Sequence, residues 1–66
     1  MEVPPMTDHL VEGLRIERNG QSARIEKIRT AMVCLRYDNN PKTKFWIDLV
    51  RLKYELQEGK VKILGQ

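Results

Sequence analysis

Residues 31–49 (AMVCLRYDNNPKTKFWIDL) constrain the fold more than any other stretch of this 66-residue sequence. Two apolar runs, rich in residue types that pack well in strands, flank the short segment DNNP at residues 38–41. Aspartate, asparagine and proline each favour turns through their own backbone preferences. The stretch therefore predicts a β-hairpin, around which the other elements are arranged.

The alternation of side chains limits the register of this hairpin. Directly paired residues share a face of the sheet, so an inward-facing Phe45 pairs with Leu35 or Tyr37 but not with Arg36. Both allowed registers direct the same side chains toward the core: Tyr37, Phe45 and Ile47. The opposite, outer face then carries Met32, Cys34, Arg36 and Trp46. Trp46 is thus predicted to be a large aromatic side chain beside a guanidinium group.

Two more strands are predicted before the hairpin. Residues 14–18 and 23–26 alternate apolar and polar side chains, as half-buried strands do, and Asn19-Gly20 lies between them. Asn-Gly between alternating runs is a strong hairpin signal, because both residues accept positive φ angles. The next apolar residue, Ile28, follows Ile25 by three positions and so breaks the alternation. This predicts a bulge or the end of the strand near Lys27.

After residue 48 the apolar period becomes that of a helix. Asp48 can cap the helix, three leucines follow at helical spacing, and Gly59 ends it. We expect a helix of about two to three turns, with Glu55 on its solvated face. Residues 60–63 (KVKI) alternate again and predict a closing strand.

Together these elements predict a mainly β fold, a small barrel of about five strands with one short helix before the last strand. Residues 10–66 form a single domain in this prediction, and residues 1–9, which include two prolines, form a flexible lead-in. The alternative is a three-helix, helix-turn-helix arrangement, because several apolar residues between positions 25 and 35 also fall at helical spacing. The alternation in residues 14–18 and 60–63 favours the β interpretation.

Size and charge narrow the class of protein. A chain of 66 residues has room for one domain with a thin margin of stability. The net charge is +3, but residues 1–20 carry two basic against four acidic side chains, whereas residues 21–66 carry ten basic against five acidic. A basic body behind an acidic lead-in is compatible with a polyanionic partner.

Other features favour a cytoplasmic protein without a membrane partner. The longest apolar run, residues 31–35, is far shorter than the roughly 20 residues of a membrane-spanning helix. The N-terminus lacks the basic region and apolar core of a signal peptide. A single cysteine, Cys34, cannot form an internal disulfide, which favours a reducing compartment.

The order of these patterns resembles a known group of small barrels. An alternating strand, Asn-Gly, A-x-I-x-x-I, a third strand ending LRYD, and FWI before an amphipathic segment are similar to SH3-like and Tudor-like barrels. Within that group, LRYDNNPKTKFWI and LKYELQEGKVKIL resemble the small barrel domains flanking the catalytic core of Mu-type transposon transposases. The resemblance covers residues 10–64. It implies an accessory module, from a mobile element or phage, that contacts DNA or other protomers and carries no chemistry.

No pattern in the sequence points to catalysis, a metal or a cofactor. His9 is the only histidine and Ser22 the only serine, and neither has the sequence neighbours of a ligand set or an activated nucleophile. The four glycines are scattered and form no phosphate-binding loop. We therefore expect a protein that is not an enzyme and needs no metal or cofactor.

The positive functional signal is the outer face of the hairpin. Basic side chains from the hairpin, its turn and the following helix can surround one tryptophan: Arg36, Lys42, Lys44, Trp46 and Arg51. This mixture suits contacts to phosphates and stacking on bases. The sequence predicts a nucleic-acid partner, DNA rather than RNA.

A protein partner is the alternative. Met32, Cys34 and Trp46 make the outer face more apolar than the exterior of a sheet should be, so some cover is expected. The cover can be the lead-in, the helix, or a second subunit in a homodimer. An open strand edge offers a further route to a protein partner. Whether Trp46 is exposed or covered separates these interpretations.

Overall fold

The computed structural model describes residues 10–65, which contain five strands and one helix. The elements in chain order are β1 (Arg15–Arg18), β2 (Gln21–Ile28), β3 (Met32–Tyr37), β4 (Phe45–Asp48), α1 (Leu49–Gln57) and β5 (Val61–Gly65). All strands pair antiparallel in one sheet, in the order β4-β3-β2-β1-β5. The predicted mainly β fold, with one short helix before the last strand, is confirmed, and the three-helix alternative is wrong. The predicted lead-in, residues 1–9, lies outside the described residues.

The predicted two-residue turn joins β1 to β2. Asn19 and Gly20 have φ angles of 56° and 77°. This left-handed backbone at both central positions is what a type I′ hairpin turn requires. The turn sets Ile16 opposite Ala23, and both side chains are fully buried. The apolar residues that alternate in the sequence of β1 and β2 are therefore the ones that face the core.

A bulge in β2 keeps its apolar side chains on one face. The register between β2 and β3 shifts between Ile25 and Lys27, where the sequence predicts a bulge. Before the shift Ile25 pairs with Leu35, and after it Ile28 pairs with Val33. Ile25, Leu35 and Val33 are fully buried, and Ile28 packs against the same core. The extra residue restores the inward direction that strict alternation would have lost.

The central hairpin adopts one of the two predicted registers. Leu35 pairs with Phe45, and Cys34 pairs with Trp46. β4 lies at one end of the strand order, so among the described strands only β3 pairs with it. Successive side chains of a strand point to opposite faces. Phe45 and Trp46 therefore present aromatic rings on the two sides of an edge strand.

The helix α1 lies between the two edge strands, β4 and β5, and contacts both. Leu52 is fully buried, and Leu49 and Leu56 pack against the core, as their spacing predicts. The Leu49 N–H donates to the Ala31 carbonyl, so the hydrogen bonding between β3 and β4 continues into the first helical residue. Asp48 holds the N-cap position without a capping hydrogen bond from its side chain. No helix within residues 10–65 is long and apolar enough to cross a membrane.

The core lies between the inner face of the sheet and α1. Its buried members are Leu14, Ile16, Ala23, Ile25, Val33, Leu35, Tyr37, Leu52 and Val61. Phe45 and Ile47, which the alternation directs toward the core, lie at its margin. Phe45 is 40% exposed and Ile47 is half-buried. The reason is the position of β4 at the edge of the sheet, where its inward side chains have a neighbouring strand on one side only.

Candidate nucleic-acid interface

The outer side of β2, β3 and β4 places basic side chains around Trp46. Lys27 pairs with Cys34, which pairs in turn with Trp46, so these three residues form one row across the strands. In the next row Arg24 pairs with Arg36. We call this surface the outer face, formed by Arg24, Lys27, Met32, Cys34, Arg36, Lys44 and Trp46. It combines cations with one aromatic ring, as the sequence predicts.

Trp46 is the exposed aromatic side chain of the outer face, at 44% exposure. Cys34, its partner in β3, is a free cysteine and is fully buried, so its thiol is not accessible from the outer face. Met32 is half-buried. Of the three residues predicted for protein interaction, Trp46 and Met32 therefore reach the surface.

Arg36 is held by two contacts. Its Nη2 donates to Glu26 Oε1 at 2.8 Å, and its Nη1 donates to the carbonyl of Pro41. The hydrogen bond between the two charged groups raises the pKa of Arg36 and lowers the pKa of Glu26. Arg36 thus ties β3 to the loop of residues 38–44. Its first role is to position that loop.

Lys42 and Lys44 lie on the same loop and are exposed. Within residues 10–65 neither forms a salt bridge. Lys44 lies close enough to Glu26 for its charge to help lower the pKa of that carboxyl. The two lysines are therefore available to an anionic partner beside Trp46.

Arg24 and Lys27 are members of the outer face that the sequence reasoning missed. Both are exposed, and neither pairs with an acidic group of the described chain. The signal for them was present, because the hairpin at Asn19-Gly20 and the bulge near Lys27 together fix the outward side chains of β2. The pairs Arg24–Arg36 and Lys27–Cys34 place both residues on the same face as the outward residues of β3.

Arg51 approaches Trp46 from α1. A shallow depression of about 270 Å³ is lined by Met32, Trp46 and Arg51, together with Arg18, Ile47 and Asp48. The Arg51 side chain is 67% exposed, and its Nε donates to Glu55 Oε2 at 3.1 Å. Of the five predicted nucleic-acid-binding residues, the depression therefore brings Trp46 and Arg51 together at the edge of β4, and Arg36 and Arg51 are already in ion pairs.

Glu55 corrects the sequence prediction, which placed it on the solvated face of α1. It is only 9% exposed. Its carboxylate accepts hydrogen bonds from Arg18 Nε at 2.7 Å, Arg18 Nη2 at 3.2 Å and Arg51 Nε at 3.1 Å, and Arg18 Nη1 donates to the Tyr37 hydroxyl at 2.9 Å. The hydrogen bonds from Arg18 lower the pKa of Glu55 against the opposing effect of burial, and they raise the pKa of Arg18.

A larger depression lies on the side of β4 opposite Trp46. It encloses about 440 Å³ and is lined by Arg18, Gln21, Tyr37, Asn39, Asn40 and Phe45. The rings of Tyr37 and Phe45 meet edge to face, with centroids 5.3 Å apart and planes at 80°. We call it the Phe45 pocket. The sequence reasoning missed it, because it assigned Phe45 wholly to the core.

Across residues 10–65, no three His, Cys, Asp or Glu side chains are grouped so that they could hold a metal ion. His9 lies outside the described residues. The expectation of a non-enzymatic protein without a cofactor stays a prediction.

No family model matches this sequence, and no curated protein or solved structure is significantly similar to it. The resemblance to the barrel domains of transposases thus stays a prediction.

Proposed function

We propose that this protein is a non-catalytic accessory module that binds nucleic acid, DNA rather than RNA, through its outer face. The observation that carries the proposal is the exposure of Trp46 in register with Lys27 and next to the loop that bears Lys42 and Lys44. Stacking on an aromatic ring and neutralisation of phosphates are the two contributions that bind a nucleic-acid strand without a catalytic site.

The charge distribution supports this proposal. Glu26 balances Arg36, which leaves Arg24, Lys27 and Lys44 without an ion pair to any residue of the described chain. Unpaired cations attract phosphates at no cost in broken salt bridges. Because neighbouring strands lie about 4.8 Å apart, Lys27 and Trp46 are separated by about 10 Å, so one short segment of nucleic acid can contact both.

Two further parts of the proposal concern the role and the location of the protein. The resemblance to the transposase barrels implies the accessory role and an origin in a mobile element or phage. A cytoplasmic location agrees with the single cysteine, since Cys34 is free and fully buried.

The test is the binding of labelled single- and double-stranded DNA, followed by fluorescence anisotropy at two salt concentrations. We expect Trp46→Ala to weaken binding about tenfold, because one stacked base is lost. Lys44→Glu and Lys27→Glu should weaken binding at low salt and reduce the salt dependence, each by roughly one phosphate contact. RNA of the same sequence should bind more weakly than the DNA.

The matched control is Lys60→Glu, which makes the same charge change on an exposed residue just before β5, at the opposite edge of the sheet. It should change affinity much less than Lys44→Glu. Equal effects of the two variants would mean that net charge alone governs binding, and binding without salt dependence would overturn the proposal.

A protein-interaction module is the second candidate, and exposed apolar side chains on α1 favour it. Val50 is 78% exposed and Tyr54 is 55% exposed. They lie one helical turn apart on the same face of the helix. The open edge of β4, beside Met32 and Trp46, offers a further contact. A homodimer detected by sedimentation at high salt, and broken by Trp46→Ala or Tyr54→Ala, would support this function over the first.

A further inference from the structure

We infer that the Phe45 pocket receives one unstacked nucleobase from a single strand whose phosphates contact Lys42 and Lys44. The inference rests on the proposed function and assigns a second binding site to it, on the other side of β4 from Trp46. It specifies single-stranded nucleic acid as the ligand of this site, because the bases of a duplex are stacked and paired.

The place of the pocket suits a flexible ligand. Gln21, beside the β1–β2 turn, forms one wall, and Asn39 and Asn40 in the β3–β4 loop form another. Phe45 stands at the rim with 40% of its surface exposed. A volume of about 440 Å³ lies within the range of small-ligand sites. It accommodates a planar heterocycle together with part of its sugar.

The residues that line the pocket have side-chain groups that can form hydrogen bonds with the edge of a nucleobase. Three of the lining residues have carboxamide side chains, each with both donors and an acceptor: Gln21, Asn39 and Asn40. Asn40 Oδ1 accepts a hydrogen bond from the Thr43 hydroxyl at 3.2 Å, which leaves the amide donors of Asn40 for a ligand. Carboxamides pair with the adjacent donors and acceptors of a base, most simply those of adenine.

The charge of the pocket favours a neutral ligand group. Arg18 is the one cationic side chain in its lining, and Glu55 accepts hydrogen bonds from two of its nitrogens, while Tyr37 accepts one from the third. A phosphate would have to displace Glu55 from Arg18. A neutral ring with polar edges fits the balanced site without breaking that ion pair.

The loop that carries Asn39 and Asn40 also carries exposed Lys42 and Lys44. A base in the pocket therefore has cations beside it for the adjoining phosphates. Because Phe45 and Trp46 point to opposite faces, substitutions can remove the pocket contacts without touching the outer face. The two sites can thus be tested one at a time.

The experiment measures binding of labelled ten-residue dA, dC and dT homopolymers by anisotropy, on the full chain, at one low and one higher salt concentration. We expect wild-type protein to prefer dA to the other two. Phe45→Leu keeps apolar packing but removes the ring, and it should weaken single-strand binding about tenfold. Asn40→Ala should abolish the preference among the homopolymers.

Controls separate folding from recognition. Gln57→Ala removes an exposed carboxamide at the end of α1, away from the pocket, and should leave the affinities unchanged. Gln21→Ala makes the same change at the pocket wall and should reduce the preference for dA. Thermal unfolding of each variant shows whether Phe45→Leu is still folded, and Gln21→Ala and Asn40→Ala alter exposed side chains that the core does not need.

The outcomes for the two proposals differ. If no homopolymer binds with an affinity that depends on salt, both the proposed function and this inference are overturned. If homopolymers bind equally well, and only Lys44→Glu and Trp46→Ala weaken them, the outer face stands and the Phe45 pocket is overturned as a base site. Side-chain amide NMR signals of Gln21, Asn39 and Asn40 that respond to N-acetylglycine methylamide but not to AMP would overturn it in favour of a peptide ligand.

Discussion

Arg18 and Glu55 are 37 residues apart in the sequence and form a bidentate ion pair, with Arg18 Nε 2.7 Å from Glu55 Oε1 and Nη2 3.2 Å from Oε2. The pair links β1 to α1. Arg18 also donates to the Tyr37 hydroxyl, which links both elements to β3. These hydrogen bonds hold the helix across the side of the sheet where β4 and β5 do not pair with one another.

Glu55→Gln should destabilise the protein. The substitution keeps the shape of the side chain but leaves the Arg18 charge, with only 18% of its side chain exposed, without its anionic partner. We expect the free energy of unfolding to fall by about 2–3 kcal/mol. Urea unfolding followed by Trp46 fluorescence measures it.

Asp38→Asn is the matched control for that experiment. It breaks the ion pair between Arg15 and Asp38, whose side chains are 37% and 48% exposed. A solvent-exposed pair contributes little, so the loss should be about 0.5 kcal/mol or less. Equal losses for the two variants would show that burial of the Arg18–Glu55 pair has no energetic consequence.

The same pair predicts a dependence of stability on pH. Hydrogen bonds from Arg18 hold the pKa of Glu55 below its usual value in the folded protein. The stabilisation is therefore complete above the pKa of the unfolded chain, about 4.3, and is lost as the pH falls through the lower folded value. Glu26 acts in the same direction, because Arg36 lowers its pKa.

Urea midpoints measured from neutral pH to about pH 3 test this dependence. Wild-type stability should decline below about pH 4.3, and the decline should be shallower in Glu55→Gln, which has lost the titrating group. Parallel curves for the two proteins would contradict the assignment.

Cys34 should be unreactive in the native protein. Its side chain is fully buried, and Cys34 lies between Lys27 and Trp46 in the row across the strands. We expect a thiol reagent such as DTNB to label it slowly without denaturant and at once in urea, since only opened molecules expose the thiol. Trp46→Ala should speed the native reaction, whereas Val50→Ala, on the exposed face of α1, should not. Immediate labelling of the folded wild type would show that the outer face is open at this position.

Gly20→Ala should destabilise the first hairpin. Gly20 has a φ of 77°, and a Cβ at this position would meet no atom within 4 Å. The cost is therefore backbone strain alone, about 1 kcal/mol. Asn19→Gly is the comparison, because glycine adopts the φ of 56° at that position freely and should change stability little. Thermal unfolding distinguishes the two, and equal midpoints would argue against a strained type I′ turn.

The local pattern of the sequence was sufficient for most of the fold. Alternation and the Asn19-Gly20 dipeptide identify β1 and β2, and face parity restricts the central hairpin to two registers, of which Leu35 with Phe45 occurs. Each of these inferences depends on residues close in the chain, or on a rule that permits few alternatives.

The inferences that failed depend on where elements meet. The helical pattern predicts that Glu55 is a surface residue of an amphipathic helix. It is the partner of Arg18 because the fold brings β1 close to α1. The alternation of side chains along β4 predicts that Phe45 is a core residue. It is 40% exposed because β4 lies at the edge of the sheet. Neither the strand order nor the distant partner is contained in the periodicity of one segment.

β4 passes into α1 without an intervening residue: Asp48 ends the strand, Leu49 begins the helix, and the Leu49 N–H still donates to Ala31. Restraint applied to β4 by a ligand is therefore transmitted to the first turn of the helix through the backbone itself. The hydrogen-exchange rates of the amides in that turn should therefore slow when a ligand binds on either side of β4. These rates report binding without an added label.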